Sequence, residues 1–293
     1  MCIRDRFELK QQLGDFSPKK IRWPKQLAVV SVLMLIAVFC LFHCLGFALF
    51  EPDEARNAQL ALNVVESGQW LSLTLNQEPY WDKPPFQIWA IAASYQTFGV
   101  NQFSTRLPGA IAALLTVLMT VMLGKRLVGF RAAALGTFLL LITAGFLFTG
   151  RYVTMDAALT ASTTATLLLG FLAIRDRMSK PIAVAAGIAC GIGVMTKGPV
   201  ALVLCLPPLI AANWLLAKQP GRSKTRNRWA WFIVPAFLVA APWFIATSVV
   251  HPDFLSYFFG SIISFGFLPR STIVHRFGIT RSGSSCSCFL PAT

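Results

Sequence analysis

Seven long apolar runs, each closed by charge or proline, constrain this chain more than any other feature. A helix needs about 20 predominantly apolar residues to cross a hydrocarbon core about 30 Å thick. The stretches at 27–50, 107–124, 132–149, 157–174, 182–196, 199–217 and 229–249 meet or approach that length. Backbone groups in lipid must satisfy one another within the segment, so runs of this kind form helices. Composition agrees: 13% of the 293 residues are charged, against about 25% in soluble domains. The expected fold is all-α, a polytopic bundle with residues 1–26 as an N-terminal segment and 27–260 as the transmembrane domain. A shorter stretch, FQIWAIAASYQTF at 86–98, carries polar residues and suits an interfacial or re-entrant helix. No separate soluble domain is expected between spans.

The distribution of charge sets the topology. Lys and Arg outnumber Asp and Glu by 26 to 12. In a soluble chain that excess would point to nucleic acid, but here the basic residues gather between apolar runs, and no nucleic-acid partner is expected. Lys19, Lys20, Arg22 and Lys25 precede the first run. Lys125, Arg126 and Arg131 form the next group, then Arg175, Arg177 and Lys180, and last Lys218, Arg222, Lys224, Arg226 and Arg228. Counting spans places all of these on one side, which the positive-inside rule makes cytoplasmic. Eighteen basic residues fall there and five fall opposite before residue 250: Arg56, Lys83, Arg106, Arg151 and Lys197. Glu51, Asp53, Glu54, Glu66, Glu78, Asp82, Asp156 and Asp253 all share the side of those five. Cations are disfavoured there, so the outer face is where chemistry is expected.

Three spots on that face stand out. In EPDEAR (51–56), three carboxylates and an arginine open a helix, with Asp53 and Arg56 three apart on one face. Helix capping and dipole complementation offer a purely structural reading, although one carboxylate suffices for that. In EPYWDKPPFQIW (78–89), Pro84 and Pro85 block helical hydrogen bonding and fix a turn carrying Asp82 and Lys83. A surface ion pair is the plainer reading; a phosphate held by the ammonium is the functional one. In TGRYVTMDAALT (149–160) and MTKGPVAL (195–202), Asp156 and Lys197 sit at span mouths, where charges also simply snorkel to water. Carboxylates with scattered cations suit transfer chemistry on a phosphate, in which the cations hold the phosphate while a carboxylate takes a proton from an attacking hydroxyl. A transporter would instead line a pathway with ionisable residues inside the spans, and the span interiors here have almost none. The seven cysteines show no zinc or redox spacing and read as small buried hydrophobes. The first run is read as a retained span, since it is long and no small-residue cleavage site precedes EPDEAR.

At PDEARNAQLALNVVESGQW, PYWDKPP, RLPGAIAALLTVLMTVMLGKRL, TMDAALT and TKGP, in that order, the chain resembles bacterial members of the protein-mannosyltransferase-like superfamily. The resemblance is strongest to the group that transfers 4-amino-4-deoxy-L-arabinose to lipid A, and it covers roughly residues 25 to 260. It implies a GT-C-type transmembrane bundle with amphipathic periplasmic helices in the first external loop, 51–106. It further implies a bacterial inner-membrane glycosyltransferase with a cytoplasmic N-terminus and a periplasmic site. The implied partners are a polyprenyl-phosphate-linked sugar donor, a lipid or protein hydroxyl acceptor, and membrane lipids. Carried over by resemblance, Asp53 is the general base or acceptor-orienting carboxylate and Asp156 the second acidic position. Lys83 holds the donor phosphate, with Arg56 and Lys197 as further phosphate partners. Asp82 stands where many relatives have glutamate, a position linked with a divalent metal, so a metal is the one cofactor implied. A mannosyltransferase acting on protein or glycolipid, a transporter and a non-catalytic assembly subunit are the other readings.

The end of the chain departs from the pattern. After HPDFLSYFFG (251–260), relatives continue with a Glu-His-rich stretch, whereas SIISFGFLPRST follows here and GITRSGSSCSCFLPAT reads as frame-shifted sequence. Residues 261–293 are therefore set apart, and the chain is expected to be the N-terminal portion of a longer enzyme. His251 and His275 are expected to be solvated loop histidines.

Overall fold

The computed structural model describes residues 23–50, 52–176, 179–218 and 229–264. Glu51, Lys19, Lys20, Arg22, Arg177, the basic group at 222–228 and everything from 265 on, including His275, Cys286 and Cys288, lie outside the described residues. Among the described residues, six helices are long and apolar enough to cross a membrane: α1 (Trp23–Phe42), α4 (Gln102–Val128), α7 (Met155–Arg175), α8 (Lys180–Lys197), α9 (Val200–Ala217) and α10 (Ala230–Val250). A bent pair, α5 (Phe130–Ile142) and α6 (Ala144–Arg151), passes the same test jointly. The chain is a multi-pass membrane protein.

Two of the expected spans differ from the sequence reading. The first was expected to run to residue 50, but α1 stops at Phe42. The carbonyls of Leu45, Phe47 and Ala48 accept hydrogen bonds from the Arg106 guanidinium instead of continuing a helix. The run at 132–149 is not one helix. Thr143 adopts an extended ψ of 113°, and the two halves meet at a bend of 67°. The pair nonetheless crosses. α5 follows α4 after Gly129 alone, near the end where Arg175 donates to the Arg126 carbonyl. α6 finishes at the opposite end, where Arg151 donates to the carbonyl of His43.

Glycine lets the spans approach closely. A Cβ on Gly187 would overlap the Phe232 carbonyl, and one on Gly191 would lie 2.8 Å from the Ala236 oxygen. This four-residue spacing of small residues brings α8 against α10 by backbone contact, the usual basis of helix association in lipid.

The loop between α1 and α4 is a folded unit rather than a tether. Helix α2 (Asp53–Ser67) leads to a hairpin of β1 (Thr74–Leu75) and β2 (Glu78–Pro79), followed by α3 (Phe86–Phe98). The antiparallel strands pair Thr74 with Pro79 and Leu75 with Glu78, and Asn76 and Gln77 turn between them with φ of 53° and 67°. Positive φ at both positions is what a two-residue hairpin demands. The all-α expectation had no place for these two strands. Residues 86–98 form a helix that packs on α2, not a span. Leu60, Ala61, Val64, Ile88, Ile91 and Tyr95 form its core together with Val153 and Met155 at the head of α7. That shared core fixes the loop onto the end of the bundle.

Candidate functional site

The charge at the start of α2 divides into two parts with different roles. Glu54 is 3% exposed and Arg106 1%. Arg106 Nε donates to Glu54 Oε1 at 3.1 Å and Nη2 to Oε2 at 2.8 Å, a bidentate pair that combines energy with orientation. The same carboxylate accepts the N–H of Phe50 at 2.8 Å and that of Val153 at 2.7 Å. Burial pushes the Glu54 carboxyl up, but the Arg106 hydrogen bond and the two backbone N–H groups outweigh it, and its pKa lies below the ordinary value. Asn57 adds a bond to the Val153 carbonyl at 3.3 Å. Glu54 thus ties the α1–α2 connection, α2, α4 and the segment before α7 into one knot. The sequence reading grouped Glu54 with the site carboxylates and did not pair it with Arg106. An arginine one turn inside a span, on the side where cations are disfavoured, was the available signal.

Asp53, the adjacent residue, points elsewhere. Its side chain is 69% exposed and holds Arg56 at 3.1 Å, as the spacing predicted. Helix α2 has no side-chain N-cap, so Asp53 is not there for capping. Asp156, in the first turn of α7, accepts Lys197 Nζ at 2.6 Å from the last turn of α8. The sequence reading took these two together as one spot at the span mouths, and the fold joins them in direct contact.

Lys83 connects the two pairs. Burial lowers its pKa, the positive charges of Lys197 and Arg56 lower it further, and Asp53 and Asp82 oppose them. Lys83 therefore shares one electrostatic neighbourhood with Asp53, Arg56, Asp82 and Lys197, side chains drawn from α2, the Pro-rich turn and α8. Tyr80 lies in the same field. Among the described residues its buried hydroxyl has no hydrogen-bond partner, and burial, with the Asp82 charge, pushes its pKa up to about 12 against the opposing Arg56 charge. Tyr80 was missed because a tyrosine beside proline reads as ordinary loop packing.

Asp82 has a partner the sequence reading did not foresee. Its carboxylate accepts the Tyr257 hydroxyl at 2.7 Å, on helix α11 (Phe254–Ser264). Trp81 packs beside it against His251, Phe254 and Tyr257, and His251 Nε2 lies 3.0 Å from Ser72 Oγ. His251 is therefore a packed interface residue and not a solvated one. Among the described residues, no three His, Cys, Asp or Glu side chains gather as metal ligands. The residues around Asp82 do not fit a metal, and no step is derived through one.

Comparison with known proteins accords with this geometry. A family model, dolichyl-phosphate-mannose-protein mannosyltransferase, matches residues 82–274. An undecaprenyl phosphate-alpha-4-amino-4-deoxy-L-arabinose arabinosyl transferase of Pseudomonas savastanoi is 32% identical over 232 residues, covering 77% of this chain and 43% of the relative. An uncharacterized protein of Aquifex aeolicus is 31% identical over 231 residues, covering 78% of this chain and 46% of its own length. The crystal structure of ArnT from Cupriavidus metallidurans bound to undecaprenyl phosphate superposes with a TM-score of 0.66 at 27% identity, over 80% of this chain and 43% of that one. The chain thus spans less than half the length of the curated relatives it matches. A broken-helix bundle, a folded first loop and a family match running through the Lys83 turn, the spans from α4 to α10 and Lys197 lead to one conclusion: this chain belongs to the dolichyl-phosphate-mannose-protein mannosyltransferase family.

Proposed function

We propose that this chain carries the donor-phosphate and proton-transfer site of a membrane glycosyltransferase. The enzyme moves a sugar from a polyprenyl phosphate to an acceptor hydroxyl at the periplasmic face of the inner membrane, with the N-terminus in the cytoplasm. The observation that carries the reading is geometric: the Asp53–Arg56 pair at 3.1 Å and the Asp156–Lys197 pair at 2.6 Å, with Trp81 and Phe86 of the Lys83 turn packed on the cluster that holds Met195, two residues before Lys197.

Asp53 accepts the proton of the acceptor hydroxyl as its oxygen forms a bond to the anomeric carbon. The bond from that carbon to the phosphate oxygen breaks on the opposite face, and polyprenyl phosphate departs with the electron pair. Configuration at the carbon inverts. Lys83, with Arg56 and Lys197, stabilises the charge that builds on the departing phosphate, the kind of fixed electrostatic help that contributes most to such reactions. Asp156 orients Lys197 through their 2.6 Å contact. Because Lys83 is half-buried, the phosphate meets it where water screens less.

The named relatives favour an aminoarabinose donor, and the sequence resemblance adds lipid A as acceptor. The family description favours a second reading, mannosyl transfer to protein. Mass spectrometry of lipid A and envelope proteins, from cells with and without the gene, separates them. Loss of an aminopentose from lipid A supports the first. Loss of a hexose from protein or glycolipid supports the second, and unchanged lipids and proteins overturn both.

A further inference from the structure

A cleft of about 390 Å³ opens where α1 and α6 end, lined by Phe47, Phe50, Leu147, Phe148, Arg151 and Tyr152. None of these residues belongs to the Lys83 neighbourhood. Tyr152 forms the centre: its ring stacks on Phe148 at 4.1 Å and meets Phe47 and Phe50 at 5.6 and 5.5 Å. Phe50 and Phe148 are each more than half exposed. Helix α1 is long and apolar enough to span the bilayer and α6 closes the bent α5–α6 pair, so these rings sit at the depth where spans end, the level at which aromatic side chains meet lipid headgroups.

Arg151 supplies the charge. Arg56, Arg106 and Lys197, at the same end, each meet a carboxylate within 4 Å. Among the described residues Arg151 has no such partner, and its Nη2 donates to the His43 carbonyl at 2.9 Å. That bond keeps the guanidinium at the cleft without neutralising it. A cation on this side runs against the usual bias, and a guanidinium is the side chain best matched to phosphate.

The cleft is also held open in advance. Phe47 lies under the Arg106 guanidinium at 3.6 Å, and the amide of Phe50 is bound to Glu54. Walls fixed by a buried ion pair lose little freedom when a guest enters. We propose that this cleft binds an anionic phospholipid of the surrounding membrane, its phosphate on Arg151 and one acyl chain along Phe50 and Phe148. The lipid would then rest against Tyr152, directly before the Val153 amide that Glu54 holds, so the site adjoins the knot that positions α2 and α7.

The test reads lipid retention and does not depend on sugar transfer. The purified chain is equilibrated in nanodiscs of equal phosphatidylglycerol and phosphatidylcholine, released into detergent, and measured by native mass spectrometry. The wild type should retain phosphatidylglycerol in preference to phosphatidylcholine. Arg151→Gln should lower that retention about tenfold, the ratio for losing one hydrogen bond to a charged group. Phe148→Ala, at an exposed ring, should lower it with Arg151 intact. Lys218→Gln, at the opposite end over Trp214, should leave it unchanged. Equal retention of the two lipids by the wild type, or unchanged phosphatidylglycerol retention in either cleft variant, would overturn the proposal. Should Arg151→Gln not fold, Phe148→Ala decides alone.

Discussion

Replacing Arg106 with methionine removes the cation from the knot while keeping much of the side-chain length. Glu54 would keep its bonds from the Phe50 and Val153 amides but lose both guanidinium bonds and the countercharge. The carbonyls of Leu45, Phe47 and Ala48 would lose their side-chain donor together. Breaking a buried pair from one side costs about 3–5 kcal/mol, because the remaining charge is left uncompensated. At about 2–4 °C per kcal/mol for domains of this size, the midpoint of thermal unfolding in detergent should fall by about 6–20 °C. Converting both residues to methionine should cost less than the sum of the single changes, since no charge is then stranded. Acid should expose the same pair. Glu54 has a folded pKa below its unfolded one, so its stabilisation is present above the unfolded pKa near 4.5 and is lost as pH falls through the lowered folded value. The Glu54→Gln variant should lack that acid limb. A midpoint shift under about 2 °C for Arg106→Met, the size expected of a surface substitution, would refute the view that this pair holds the α1–α2 connection in place.

The neighbouring carboxylate should behave in the opposite way. Asp53→Asn should leave stability within about 0.5 kcal/mol, as for an exposed side chain, while sugar transfer by the full-length enzyme falls by at least about 10²-fold, as for loss of a general base; unaltered turnover would remove Asp53 from the mechanism. Lys83 titrates below the ordinary lysine value, so donor-phosphate affinity should weaken as pH rises through that lowered pKa, and Lys83→Ala should abolish this alkaline limb in a binding titration with polyprenyl phosphate. Gly187→Ala places a methyl group against the Phe232 carbonyl and should destabilise by at least about 1–3 kcal/mol, the usual range for overpacking, measured as a loss of folded chain on size exclusion after mild heating.

Most of the spans were legible because transfer into lipid is a local property. Each run of apolar residues settles its own crossing, whatever the remainder of the chain does. Span ends were less legible where a distant side chain competes for backbone. Nothing within 43–50 reveals that Arg106 takes its carbonyls, and Thr143 carries no proline or glycine to announce the break between α5 and α6. The hairpin at 74–79 was hidden for a related reason, since strands of two residues leave no alternation to read.

Asp53 and Glu54 show the division most sharply. As sequence they are two adjacent carboxylates at the head of one helix, and their spacing assigned Arg56 to Asp53 correctly. Neighbours on a helix point roughly 100° apart, yet which direction meets protein and which meets water depends on what lies opposite. For Glu54 that is an arginine 52 residues away and an amide 99 residues away, so it became structure. Asp53 stays exposed and pairs with Arg56. The sequence alone determined that charge gathers at one end of an apolar bundle; only tertiary packing, by choosing which carboxylate to desolvate, decided which of them is buried and which stays exposed.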